Sequence, residues 1–173
     1  MLRHAILSRF SERRNMLKPA IMYKDQIQNE VKSKFYTESM LFYEGTNGSY
    51  TISIPEESEP GKYYYASVDS NGNLVGYIGF DVELYERMAY KFGIMSFDEG
   101  NITLAYDLND VIDTLINKFH LHRIEWRAVS GNPACRAYDR FCEKYKGNKC
   151  VLHDVIRDVG GKYHDLYIYE LLF

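Results

Sequence analysis

The chain is short of most features that would assign it quickly. Three of its 173 residues are cysteine, at 135, 142 and 150. An odd, sparse set with no Cys-x-x-Cys pair is neither a disulfide framework nor a zinc ribbon, and reads as reduced thiols in a cytoplasmic protein. Apolar runs last only a few residues, far short of the roughly 18 that would span a bilayer. Neither sign of charge dominates: 21 Lys and Arg stand against 24 Asp and Glu, a net charge of −3. No global field therefore draws the chain to nucleic acid or to anionic lipid. There is no internal repeat and no low-complexity tract. What is present is a globular composition, 46% hydrophobic and 26% charged, which suits one soluble domain. Tyrosine is in excess, with 16 copies. Its amphipathic ring fits half-buried strand positions and pocket rims.

The start, Met1 to Asn15, is basic and lacks the apolar core of a secretory signal. It reads as an extension ahead of a single domain over 16–173. Residues 17–22 suit a short strand, with Pro19 fitting an edge. Ile27, Val31 and Phe35 fall at helical spacing, so a helix is expected over 25–38 with Asp25 as its N-cap. A strand is expected at 48–54, and 55–61 is an acidic loop with two prolines. Strands over 63–68 and 74–82 flank Asn71-Gly72, the best hairpin signal in the chain. Residues 87–97 make a further strand. Leu108, Val111, Ile112, Leu115 and Ile116 predict a helix over 107–118. A strand at 121–129 follows, then a helix over 132–145 with Asn132 as N-cap and Pro133 in first position. Two strands, 150–158 and 163–172, meet at Gly160-Gly161.

Within the second half, Leu121-His122-Arg123-Ile124-Glu125, the pair Asn132 and Tyr138, and the run Gly161 to Tyr169 form a familiar series. They resemble the GNAT superfamily of N-acetyltransferases, and more narrowly the ribosomal-protein-alanine type. The resemblance covers about 17–173. It is specific in 119–172 and lies only in element order before that. It implies an α+β acyl-CoA N-acyltransferase fold, with a mixed, mostly antiparallel sheet of about 6–7 strands flanked by helices. In that fold the fourth and fifth strands splay and acetyl-CoA enters the gap as co-substrate, with no metal. The acceptor is a primary amine, on a small molecule or a protein N-terminus, which attacks the thioester directly. A homodimer is compatible with the fold; neither nucleic acid nor membrane is an expected partner.

Carried onto this chain, the resemblance makes Tyr138 the general acid for the departing thiolate. Main chain of the strand ending Gly93-Ile94-Met95-Ser96-Phe97 would hold the pantetheine. The loop Gly100, Asn101, Ile102, Thr103, Leu104, Ala105, with Asn132 and Tyr138, completes the cofactor set. The base is sought among Asp81, Glu83 and Glu86, near the turn between two strands, where each also suits an exposed turn charge. One stretch departs from the family. Its pyrophosphate loop is Gly-rich, whereas 98–105 keeps only Gly100 and adds Asp98 and Glu99. No Lys or Arg lies between Lys91 and Lys118, so the departure favours, as an alternative, an interaction domain on this scaffold that does not use CoA. His120 and His122 lack further ligands at metal spacing. Cys135 could in principle carry an acyl group, but direct transfer is what the resemblance implies.

Overall fold

The computed structural model describes residues 17–34 and 52–173. At its centre is a sheet of seven strands: β1 (Leu17–Pro19), β2 (Lys62–Val68), β3 (Leu74–Glu83), β4 (Met88–Ser96), β5 (Arg123–Val129), β6 (Asn148–Arg157) and β7 (Tyr163–Leu172). Their spatial order is β1-β2-β3-β4-β5-β7-β6. Helices α1 (Lys24–Lys34), α2 (Thr103–Asn117) and α3 (Cys135–Tyr145) flank it, and a 3-10 turn, Ala20–Tyr23, leads into α1. Every neighbouring pair is antiparallel except β4 with β5. That one parallel pair needs a crossover, which α2 supplies. The mixed sheet flanked by helices is the architecture implied above.

Strand alternation decides which helix covers which face. Ile78, Phe80 and Val82 of β3 share a buried cluster with Val111, Ile112 and Leu115 of α2 and with Tyr138 and Cys142 of α3. Tyr77 of β3 and Met95 of β4 pack instead with Ile27 and Val31 of α1. So α2 and α3 lie on one face and α1 on the other. Burying each of α2's large apolar side chains contributes about 1.5–3 kcal/mol, more than helix propensity could supply.

The Asn71-Gly72 hairpin joins β2 to β3. Gly72 takes φ +83°, a conformation that favours glycine. The Asp69 carboxylate accepts from the backbone N–H groups of Asn71 and Asn73, each at 2.8 Å, and from Asn73 Nδ2 at 2.9 Å. These donors hold its carboxyl below the ordinary range, the Asn73 side chain most of all.

Several boundaries differ from expectation. Residues 20–23 coil into the 3-10 turn instead of extending the first strand. Asp25 sits inside the first turn of α1, not before it. Residues 35–38 and 48–51 fall outside the described residues, and 52–54 form no strand although Ile52 and Ile54 are buried. Helix α2 begins at Thr103, four residues before 107. Helix α3 begins at Cys135. Asn132 still caps its approach, because its Oδ1 accepts the Ala134 N–H at 2.9 Å. Among the described residues no helix is long and apolar enough to cross a membrane.

Candidate active site

Strands β4 and β5 pair at two positions only, Met88 with Arg123 and Ala89 with Ile124. Beyond them the strands part, although both run on for several residues. The cause lies in β4. Gly79 of β3 faces Gly93 and Asp81 faces Tyr90, so Phe80 opposes two residues, Lys91 and Phe92. This is a β-bulge, which bends a strand and leaves backbone groups unpaired. Lys91 carries it at φ +53°. The slip is visible in the side chains: Ala89, Phe92 and Ile94 share the α2/α3 face, at spacings of three and then two.

The fork opens onto an apolar cleft lined by Phe92, Ile94, Leu108, Ile112, Trp126, Tyr138 and Phe141. Of the side chains that line it only those of Trp126 and Tyr138 carry a hydrogen-bond donor, and the surface they turn to the cavity is apolar. Its free volume is about 10 Å³, room for a single water at most, so side chains fill the fork as it stands. Tyr138 comes from the first turns of α3 and is 9% exposed. Its ring meets Trp126 edge-on at 5.8 Å and Tyr169 at 5.6 Å. Burial pushes its hydroxyl up to about 12, and the neighbouring Cys135 adds to the rise. Cys135 is itself buried, and that burial raises its thiol. Such a thiol is not an activated nucleophile.

At the open end of the fork, β4 leads into the loop 97–102 and then α2. Gly100 turns the chain at φ +85°. The helix start is furnished from within: Asn101 Oδ1 accepts the Thr103 N–H at 2.9 Å, and Asn101 Nδ2 donates to Asp98 Oδ2 at 2.8 Å. Asp98 and Glu99 are exposed, and two carboxylates therefore stand where a helix N-terminus would otherwise favour an anion. Leu104 turns inward against Gly76 of β3. Ile102 is exposed. Thr103, Leu104 and Ala105, read as loop, form the first turn of α2.

The three carboxylates offered as bases are not brought together with Tyr138. Asp81 lies beside the bulge, with Lys91 Nζ 3.2 Å from its Oδ2. Its odd place in β3 puts it on the α1 face. Glu83 accepts the Tyr85 N–H at 3.0 Å, and Glu86 is an exposed turn residue. Both sit at the closed end, beyond Met88. A second polar group lies on that face, where the sequence reading had placed Glu125 and Arg127 but had not singled out Arg123. Arg123 at the fork lies 2.6 Å from Glu125 and 2.9 Å from Glu170. Alternation along β5 carries the signal, since Arg123, Glu125 and Arg127 fall between Ile124, Trp126 and Ala128. His122 is occupied at the far end, its Nδ1 2.8 Å from the Phe173 carbonyl oxygen.

No family sequence model and no curated protein matches this chain. Solved structures do. A candidate phosphinothricin N-acetyltransferase superposes with a TM-score of 0.64 at 15% identity, over 90% of this chain and 96% of the other. The spermidine/spermine N-acetyltransferase SpeG from Vibrio cholerae superposes at 0.54 with 19% identity, over 66% of each chain. A protein described as a probable acetyltransferase gives 0.53 and 23%, with 65% of this chain and 63% of that one covered. The chain has the GNAT fold. In GNAT terms the fork is the opening between the fourth and fifth strands, and the loop 97–102 is the segment that enters the following helix. The match spans just under two thirds of the length of the last two proteins.

Proposed function

We propose that the protein is an N-acetyltransferase that moves an acetyl group from acetyl-CoA to a primary amine by direct attack. The observation that carries this reading is the fork: two parallel strands joined at two residue pairs, parted by a bulge, and floored by an apolar cleft. A linear arm with few polar groups suits that lining, entering as the side chains that fill the fork move aside. The GNAT fold and the acetyltransferases that share it point the same way. The narrower likeness to ribosomal-protein-alanine acetyltransferases rests on residues 119–172 alone. The SpeG superposition makes a polyamine as reasonable an acceptor as a protein N-terminus.

The residues divide the work by face. Tyr138 and the cleft belong to the α2/α3 face, and Asp81 to the α1 face. Attack through the fork would let an amine approach from one side while the thiolate departs on the other. Asp81, beside the bulge, is the best placed of the three carboxylates to take the amine's proton, directly or through water. Tyr138 keeps its proton across the working range. Its value of about 12 lies well above an ordinary thiol near 8.5. Complete transfer to a solvated thiolate would be uphill by roughly 5 kcal/mol, so Tyr138 assists by donating a hydrogen bond.

Acetyl-CoA titrated into the protein, read by melting temperature and calorimetry, tests the reading. Ligand at about 100 times its dissociation constant should add about 2.7 kcal/mol. Release of free thiol in the presence of amines then tests transfer. A second reading is favoured by one observation, the carboxylates of Asp98 and Glu99 at the head of α2. It is a GNAT-fold interaction domain that does not use CoA. No melting shift at millimolar acetyl-CoA selects that reading.

A further inference from the structure

Among the described residues, the indole nitrogen of Trp126 is buried with no hydrogen-bond partner. The residue is 6% exposed and lines the cleft of the fork. A buried donor left unpaired is costly, because its hydration is lost and nothing replaces it. Nor can this one turn out to water. Its ring lies flat on Tyr169, 7° from parallel at 5.3 Å, and Tyr138 meets it edge-on. Tyr169 is anchored in turn: its hydroxyl donates to Asp139 Oδ1 at 3.1 Å, and Lys149 Nζ sits 2.9 Å from the same oxygen. The indole is held in place with its one donor unused.

We propose that Trp126 reads the acyl thioester, its Nε1–H donating a hydrogen bond to the thioester carbonyl oxygen of bound acetyl-CoA. This rests on the acyl-CoA reading above. Depth selects the thioester over the amides of the arm. Trp126 lies two residues beyond Ile124, the last β5 residue paired with β4, or roughly 7 Å into the fork from its closed end. An arm entering past α2 at the open end brings its tip to that depth. Apart from Tyr138, no other lining side chain carries a donor, so the indole competes there only with that hydroxyl and with backbone N–H groups of the parted strands. The same bond serves the transfer. As the amine nitrogen forms the C–N bond, the carbonyl π pair moves onto the oxygen, where the indole N–H holds it. The carbonyl re-forms as the C–S bond breaks with its pair on sulfur, and the amine's surplus proton passes to a base or to water.

The chain has a single tryptophan, so uniformly 15N-labelled protein gives one indole N–H resonance. Acetyl-CoA is expected to move that proton downfield, and CoA with its free thiol to move it less. In parallel, Trp126→Phe keeps the aromatic ring and removes the donor. The smaller ring leaves a void, so the ligand-free variant should melt somewhat lower, and the two ligands are compared on the same variant. The substitution should weaken acetyl-CoA about tenfold, the worth of one buried hydrogen bond, and leave CoA affinity unaltered. Equal indole shifts with CoA and acetyl-CoA would overturn the thioester assignment. So would a Trp126→Phe protein that binds acetyl-CoA as tightly as the parent, and in that case the acyl-CoA reading stands. If the parent binds neither CoA nor acetyl-CoA, the acyl-CoA reading itself fails and takes this proposal with it.

Discussion

The cleft between β4 and β5 and the loop that follows β4 lie one after the other along the chain, yet different forces hold them. The cleft is a matter of shape: a bulge parts two strands and hydrocarbon lines the space. Nothing in it depends on charge, and salt would leave it unchanged. The loop is a matter of charge and capping. Asn101 satisfies the helix start from within, and Asp98 and Glu99 surround it with negative charge. For a cofactor with an apolar arm and an anionic pyrophosphate, the cleft is suited and the loop is opposed. At an effective dielectric of about 20, a like-charge pair at 4 Å costs about 4 kcal/mol before screening, which salt then reduces for exposed groups. Affinity would then rest on the cleft, and loss of the cleft should matter more than any change in the loop.

The largest effect tests that ranking. Tyr138→Ala removes a buried ring from the cleft and from its contacts with Trp126 and Tyr169. It should cost about 3–5 kcal/mol, read as a fall in melting temperature of roughly 10 °C. Tyr138→Phe keeps the ring and should melt within a degree or two of the parent. If the hydroxyl assists the departing thiolate, the turnover of Tyr138→Phe falls by about tenfold or more. A Phe variant that melts as low as the Ala variant would make the hydroxyl structural.

Next in size is the bulge. Lys91 at φ +53° is tolerable for an unbranched residue. Lys91→Val places a β-branched side chain there and should cost about 1–2 kcal/mol. Lys91→Gly should be close to neutral: relief at positive φ is set against loss of an exposed ion pair with Asp81 worth about 0–1 kcal/mol. If the bulge sets the fork, acetyl-CoA affinity falls in the Val variant and holds in the Gly variant. Equal affinity in both would detach the cleft from the bulge.

How far these features were legible in the sequence follows the same division. The hairpin at Asn71-Gly72, the crossover helix and the order of strands were readable, because turn chemistry and apolar period are local. The start of α2 was not. Asn101 provides the capping oxygen through a turn held to Asp98, and the expected helix began only where apolar spacing became regular. The bulge left one trace, the slip in alternation between Ala89 and Phe92. The separation of Asp81 from Tyr138 across the sheet left none, because it depends on which helix covers which face. Trp126 as an unpaired donor was equally hidden, since only packing shows that nothing accepts from it.

A smaller effect bears on the loop. Asp98→Asn with Glu99→Gln removes two negative charges while leaving position 98 an oxygen for Asn101 Nδ2. At low salt, acetyl-CoA should bind several-fold more tightly to this variant than to the parent, and the gain should vanish by about 0.5 M salt as screening shortens the reach of the charges. A gain that survives high salt would point to a change in loop shape. No gain at all would mean that the pyrophosphate lies elsewhere, and the contrast between cleft and loop would lose its meaning.

The smallest effect concerns how α2, which carries that loop, is fastened to the sheet. Asp107 is 3% exposed, and its Oδ2 takes a hydrogen bond from the Ser67 hydroxyl of β2 at 2.6 Å. Burial raises its carboxyl above the ordinary value. The Ser67 bond opposes the rise, and the nearby Asp110 adds to it. The folded state therefore holds this proton more tightly than the unfolded chain does. Between the unfolded and folded values the folded protein binds more protons, so this group's contribution makes stability fall as pH rises through that window, and it stays constant above it. Other carboxylates slope the opposite way, since Asp69, Asp139 and Asp158 are held low by hydrogen bonds. The clean quantity is therefore a difference. Asp107→Asn cannot ionise, and its amide can still pair with Ser67. Its melting temperature minus that of the parent should grow from pH 4 to pH 7. A difference that stays flat would mean that Asp107 titrates as an ordinary carboxylate, and that the anchor of α2 does not hold its proton in the folded protein.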